Sequence, residues 1–279
     1  MIHPIYPCLW FDGKAKEAAD FYVSVFPNSK ITSEIPMVTT FESVGQKFMC
    51  LNGGPEFHFN PSISFYTIMD SKEEIDMVWE KLSEGGSALM PLNEYPWSKR
   101  YGWVQDRFGV SWQLTVDKPE GVSLKFIPAL MFTGSNFGKA EKAIEKYISI
   151  FENSGLRFAS RYGDDQGEQA GKINHAQFTL NGQLFAAIDS NMPHAFNFNE
   201  AISLVVECDN QDEIDHFWSE LSKGGSEGQC GWLKDEFGVS WQIVPAILGQ
   251  LMNDPQRSPR VVEAFMKMKK FDIETLVNG

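Results

Sequence analysis

The phrase GWVQDRFGVSWQL at 102–114 returns as GWLKDEFGVSWQI at 231–243. A repeat has to be located before any element is assigned, because it decides whether a chain is one long domain or a shorter one written twice. The flanking sequence indicates the second. FNPSISFYTIMDSKEEIDMVWEKLSEGGS (59–87) matches FNEAISLVVECDNQDEIDHFWSELSKGGS (198–226), and PCLWFDGKAKEAADFYVSVFPNS (7–29) parallels PALMFTGSNFGKAEKAIEKYISIFENS (128–154). The copies also differ in length where ALMPLNEYPWSKRY in the first stands against EGQC in the second. We read residues 1–120 as a first domain, 125–246 as a second, 117–125 as the polar join and 247–279 as a tail of short helices.

Period and punctuation divide each copy into two similar halves. A short apolar strand (IYPCLWF, FIPALMF) runs into a helix in which Ala18, Phe21, Tyr22, Val25 and Phe26 recur at helical spacing. The strands ITSEIPM, VTTFESV and QKFMCLN follow, the last two joined by a turn at Gly45. The plan then restarts with SISFYTIM, the helix KEEIDMVWEKLSEGG and the hairpin GWVQ-DRFG-VSWQLT. Asp70 is the expected N-cap of that second helix, with Glu73 completing a capping box. Asp106 and Gly109 suit a tight turn, so packing alone explains much of the repeated phrase.

A chain of 279 residues with 43% hydrophobic content can bury a sizeable core. Its net charge of −13, with no local basic stripe, argues against a nucleic-acid partner. The start has no secretory pattern and no apolar run is long enough to span a bilayer, so no membrane partner is expected and the chain reads as cytoplasmic. Cys8, Cys50, Cys208 and Cys230 lack the short paired spacing of a zinc or redox motif and read as buried, reduced thiols.

The order strand, GxxxEAxxFY helix, GG, GW(V/L)xDxFGVSWQ(L/I), then VPAILGQLMNDP and MKMKKFDIETL, resembles the PhnB-like, demethylubiquinone methyltransferase-like branch of the vicinal oxygen chelate (glyoxalase, bleomycin resistance, dioxygenase) superfamily. The resemblance covers nearly the entire chain, twice over. It implies an α+β fold in which each domain pairs two βαβββ units into a curled, mostly antiparallel sheet around a cleft. It also implies intrachain domain pairing and relatives that form homodimers. In metal-using members a divalent ion sits on side chains of the first, fifth and last strands, positions that fall here on Pro7, Ser64 and Gln113, and on Pro128, Ser203 and Gln242. Proline offers no donor and serine is a weak ligand beside imidazole or carboxylate, so no metal or other cofactor is expected.

Strand alternation then sends Trp112 and Trp241 under the helices and Gln113 and Gln242 toward the clefts, where an amide could hydrogen-bond a ligand or satisfy a neighbouring strand. Trp103, Ser64, Ser203, Trp97 and Tyr101 complete the ligand-binding candidates, with MPLNEYPWSKRY as a lid over the first cleft carrying Trp97 and Tyr101 at its surface. Trp10 and Phe48 are further aromatics that such a recess could use. His175, with Asp189 or Gln242, is the general-base candidate. His58 and His194 sit in loops that could line a cleft mouth, while His3 and His216 read as peripheral. The leading expectation is a protein that binds a small organic molecule, or a metal-independent enzyme whose reaction the sequence does not name. Three others stand beside it: a metal-dependent lyase, isomerase or dioxygenase; a methyltransferase, against which the lack of a GxGxxG loop counts; and a scaffold copy supporting an active one.

Overall fold

The computed structural model describes residues 3–116 and 126–278; the expected join at 117–125 lies outside them. The chain forms four βαβββ units. The first holds β1 (Tyr6–Phe11), α1 (Ala15–Val25), β2 (Ser29–Ile35), β3 (Val38–Ser43) and β4 (Gln46–Asn52). The second holds β5 (Ile63–Ile68), α2 (Lys72–Ser83), β6 (Ser87–Tyr95), β7 (Ser98–Gln105) and β8 (Ser111–Thr115). The third repeats the plan with β9 (Phe126–Phe132), α3 (Ala140–Ile150), β10 (Gly155–Arg161), β11 (Ile173–Leu180) and β12 (Gln183–Asp189). The fourth has β13 (Ile202–Cys208), α4 (Gln211–Ser222), β14 (Ser226–Glu227), β15 (Trp232–Lys234) and β16 (Ser240–Pro245), before the tail helices α5 (Leu248–Met252), α6 (Ser258–Phe265) and α7 (Ile273–Asn278).

Two curled sheets of eight strands result, each built from two units as the family pattern implies, but the partners come from different copies. Sheet A joins units one and four through the antiparallel pair β1–β13; sheet B joins units two and three through β5–β9. The expectation that each copy pairs its own units is therefore revised. A unit's hydrophobic pattern demands a partner edge without saying which equivalent edge supplies it, and here the edge lies in the other copy.

What holds a copy together is the helix side. The helices and the inward faces of both sheets share one hydrophobic cluster, in which Trp112 and Trp241 are fully buried. Burying one such indole contributes roughly 4–6 kcal/mol, at about 25 cal/mol per Å² over the 150–250 Å² an aromatic side chain covers. The repeated phrase fastens this core. Asp106 Oδ1 accepts from the Phe108 and Val110 amides at 2.8 and 3.1 Å, closing the β7–β8 turn. Its Oδ2 accepts from the Trp112 indole at 2.8 Å and from the Tyr22 hydroxyl of α1 at 2.9 Å. Asp235 repeats every bond with Phe237, Val239, Trp241 and Tyr147. Gly109 and Gly238 take φ of 95° and 87° in these turns, where a side chain would be strained. Each carboxylate thus ties a helix packed on one sheet to a hairpin of the other.

Two local expectations shift. The N-cap of α2 is Ser71, whose hydroxyl accepts from the Glu74 amide at 3.1 Å, while Glu74 reaches back to the Asp70 amide at 2.8 Å. The capping box is real but starts one residue later than Asp70 and Glu73, because serine fits the extended cap conformation with the same short oxygen. The segment 90–101 is not a loop lid but the arms of a hairpin: β6 pairs β7 from Ser87–Gln105 to Tyr95–Ser98 at the edge of sheet B.

Candidate functional site

Each sheet has one face under helices and one facing away, and strand alternation decides which side chains reach the second. On sheet A the register sets Cys8 opposite Ser203 and Tyr6 opposite Val205, which in turn lies beside Gln242. Pro7 pairs with Leu204 and faces the helices. On sheet B, Ala129 lies opposite Ser64, Tyr66 beside Gln113, and Pro128 opposite Phe65. The first-strand position facing each cleft is therefore Cys8 and Ala129, one residue beyond Pro7 and Pro128. The slip arises because a single-residue shift flips a strand's face, and sequence landmarks locate a strand less finely than that.

Serine and glutamine do come together in both clefts. Gln113 Nε2 donates to Ser64 Oγ at 2.7 Å, and Gln242 Nε2 donates to Ser203 Oγ at 2.8 Å. Beyond that shared pair the faces part company. On sheet B the Tyr101 hydroxyl donates to Gln113 Oε1 at 2.7 Å, so the amide is clamped from both ends. Tyr101 is buried rather than exposed, and burial pushes its phenol up, keeping it a neutral donor. Trp103 lies beside Gln113 across the β7–β8 pair and anchors its indole on Ser111 Oγ at 2.8 Å. Trp97 stays 60% exposed at the hairpin tip, its ring 5.0 Å from Tyr95. The floor between the walls is apolar and separate from the main core: Ile68, Ile127, Ala129, Leu184 and Ala186, with Tyr66 packed against them.

The corresponding floor of sheet A carries larger and polar groups. Ile127, Ala129, Leu184, Ala186 and Ile68 are replaced by Tyr6, Cys8, Lys47, Met49 and Glu207 at matching sheet positions. The polar three bind one another. Glu207 Oε1 accepts from the Tyr6 hydroxyl at 2.8 Å and from Lys47 Nζ at 2.7 Å, and that ammonium lies 4.0 Å from the centre of the Tyr6 ring. His3 Nδ1 is 3.7 Å from Glu207 and its Nε2 is 2.7 Å from Asp209. Cys8, Val205 and Gln242 are 1%, 0% and 6% exposed, while the Lys47 and Glu207 side chains remain 41% and 24% exposed. The tail covers its edge, with the Cys230 and Gly231 amides donating to the carbonyls of Met268 and Lys269 at 2.7 Å each.

The general-base pair is not assembled. Asp189 Oδ1 accepts from the Gly138 and Ala140 amides at the start of α3, and Oδ2 from Ile173 at 3.1 Å, on the helix side of the sheet. Asn52 does the same for Ala15 in the first copy, so position 189 is a helix-capping site. His175 faces the other way, half-buried on sheet B, its Nε2 3.4 Å from the Gln177 amide nitrogen. Burial lowers its pKa, which favours the neutral ring. His194 Nε2 lies 2.9 Å from Ser190 Oγ, His216 Nε2 3.1 Å from the Ile150 carbonyl, and His58 is exposed. The four cysteines are free thiols; burial pushes Cys8 and Cys208 up to about 12 and raises Cys50 and Cys230 as well.

The donors at the cleft positions do not fit a catalytic divalent ion. Sheet B offers one hydroxyl and one amide, already bonded to each other, and sheet A adds only a thiol whose proton is tightly held. Among the described residues no three His, Cys, Asp or Glu side chains cluster to hold a metal. None of their helices is long and apolar enough to cross a membrane.

The sequence reading missed the Tyr101–Gln113 bond, the small Ala129 and Ala186, and the Tyr6–Lys47–Glu207 cluster. Lining up the two copies strand by strand would have flagged the last two, since each is a difference at matched positions.

A family model described as 3-demethylubiquinone-9 3-methyltransferase matches residues 3–115 and 124–244. Among solved structures, a PhnB protein from Bacillus cereus is 42% identical over 40% of this chain and 98% of its own, with a TM-score of 0.38. Glyoxalase I from Zea mays is 10% identical over 87% of this chain and 92% of its own (TM-score 0.57), and a candidate dioxygenase from Bacillus subtilis subsp. subtilis str. 168 is 11% identical over 88% and 84% (TM-score 0.54). The last two show the shared fold. No curated protein sequence matches.

Proposed function

Since the chain belongs to the 3-demethylubiquinone-9 3-methyltransferase family and builds it on the glyoxalase fold, we propose that sheet B carries its ligand site, for a small, flat, largely apolar organic molecule. The observation that carries this reading is the clamped amide of Gln113 above an apolar floor. Held by Ser64 and Tyr101, the amide keeps one N–H and one carbonyl lone pair for a ligand, in a fixed orientation. Ala129 and Ala186 put small side chains where sheet A has Cys8 and Met49, and few polar groups on apolar walls are the arrangement typical of small-molecule sites. Neutral His175 and Gln177, on the opposite wall of the same face, offer a second polar contact.

The face of sheet A is the scaffold half. Its Tyr6–Lys47–Glu207 cluster satisfies its own charges and leaves those groups engaged with one another rather than with a ligand. No metal-dependent step is part of this reading, because the donors fit none. The methyl transfer for which the family is named needs a seat for a methyl donor, and the sequence carries no GxGxxG loop to provide one.

A thermal-shift screen of aromatic and quinone-like compounds tests the proposal. Hits should raise Tm in the wild type and in Gln242→Ala but not in Gln113→Ala. A hit lost only in Gln242→Ala would reverse the assignment of the two faces, and no hit from the whole screen would leave both faces as scaffold.

A further inference from the structure

A recess lies away from both cleft faces, where the end of β1, the loop 53–61 and the β7–β8 turn meet. It encloses about 620 Å³ and is lined by Trp10, Phe57, Phe59 and Phe108, with Lys14 and Arg107 at its margin. Its aromatic frame exists twice. Phe11 stands 5.1 Å from Phe59 and 5.9 Å from Phe108; in the second copy Phe132 stands 5.1 Å from Phe198 and 6.1 Å from Phe237.

The contents differ. The second copy carries four extra residues, Thr133–Asn136, between its first strand and helix, where the first copy passes straight from Phe11 to Asp12. These form a 3-10 turn that folds into the frame. Asn136 is buried there: its Nδ2 donates to the Phe237 carbonyl at 2.6 Å and its Oδ1 accepts from Lys139 Nζ at 3.2 Å. The turn packs on Asn197, whose counterpart in the first copy is His58. Nearby, Glu236 is neutralised by Lys142 and Lys146, whereas its counterpart Arg107 lays its guanidinium 4.2 Å from the centre of the Phe21 ring. The second copy therefore holds a primary carboxamide between an ammonium and a backbone carbonyl. The first copy keeps the matching lysine, Lys14, and the matching residue, Phe108, on the lining of an open recess.

We propose that this recess binds a small aromatic carboxamide, which takes the place that Asn136 fills internally in the second copy. The amide oxygen accepts from Lys14, the amide N–H donates to the Phe108 carbonyl, and the ring lies among Trp10, Phe57 and Phe59. Asp12, which also lines the recess, favours a ligand that donates as well as accepts over a carboxylate.

Benzamide, titrated against ¹⁵N-labelled protein with benzoate as the comparison, tests this. Benzamide should shift the amides of Trp10, Phe57 and Phe108. Lys14→Met, an exposed change that leaves the core intact, should weaken it about tenfold, and inserting Thr-Gly-Ser-Asn between Phe11 and Asp12 should abolish binding. Gln113→Ala should leave it unchanged, which separates this site from that of sheet B. Equal binding to wild type and Lys14→Met, shifts elsewhere only, or benzoate binding more tightly than benzamide would each overturn the assignment.

Discussion

Sheets A and B start from the same strands and the same serine–glutamine pair, yet one face carries a polar cluster and the other an apolar floor. On sheet A, Tyr6, Lys47 and Glu207 form a closed set of opposite charges and hydrogen bonds, with Cys8 and Met49 filling the space between. On sheet B the matching residues are Ile127, Leu184, Ile68, Ala129 and Ala186. Duplication allowed the two sheets to diverge: a face whose polar groups satisfy one another stabilises the assembly, and a face with small apolar side chains can take a guest. The cost of a buried polar group depends on its partners, so the difference is open to direct attack.

The largest effect should come from moving one member of the polar set to the wrong face. Leu184→Lys places an ammonium on sheet B with no carboxylate, and should destabilise by about 2–4 kcal/mol in urea unfolding. Lys47→Leu on sheet A should cost about 1–2 kcal/mol, because Glu207 keeps Tyr6 and some solvent. Replacing all three, Tyr6→Ile, Lys47→Leu and Glu207→Ile, should return to within about 1 kcal/mol of wild type. Equal losses from Leu184→Lys and Lys47→Leu would mean the faces are not distinct.

Next in size are the two aspartates, where the copies agree. Asp106→Asn and Asp235→Asn should each cost about 1–3 kcal/mol, since the new N–H₂ meets an indole or phenol donor. Burial holds both carboxyls above the ordinary aspartate value of 3.8, against the opposing pull of their hydrogen bonds. A raised native pKa means that the folded state takes up the proton first. The contribution is complete below the unfolded value and declines as pH rises through the folded one. The penalty of either Asn should therefore be largest below about pH 4 and shrink toward neutrality; a penalty that grows with pH would contradict the burial argument.

A smaller effect tests the space itself. Ala129→Cys with Ala186→Met writes the floor of sheet A onto sheet B, and should weaken any ligand found by the screen about tenfold while changing stability by less than about 1.5 kcal/mol. The smallest is chemical: Cys230, half-buried, should alkylate before Cys8, Cys50 and Cys208, and rapid labelling of Cys8 in native protein would show that sheet A is more open than its packing indicates.

Much of the fold was legible because every signal was written twice. The strands and helices, the GG stop after α2 and the inward tryptophans all follow from periodicity and turn residues. The bond set of Asp106 was partly visible, since Asp, Trp and the helix tyrosine recur together as Asp235, Trp241 and Tyr147. What stayed hidden depends on tertiary choice. Nothing in β1 says whether its free edge will take β5 or β13, because both present the same apolar pattern. The placing of Pro7 rather than Cys8 in the cleft, and of Asp70 rather than Ser71 at the cap, are one-residue slips that only a register can settle. Asp189 resembled a catalytic partner because its role, capping α3 from across the sheet, joins residues far apart in sequence.

The central claim is that sheet B alone receives the ligand, through Gln113. A crystal structure of the chain with the strongest compound from the thermal-shift screen tests it most directly. The account predicts one molecule per chain, hydrogen-bonded to Gln113 and resting over Ala129 and Ala186. A molecule seated instead against Ser203 and Gln242, with the Tyr6–Lys47–Glu207 cluster broken open, would contradict it.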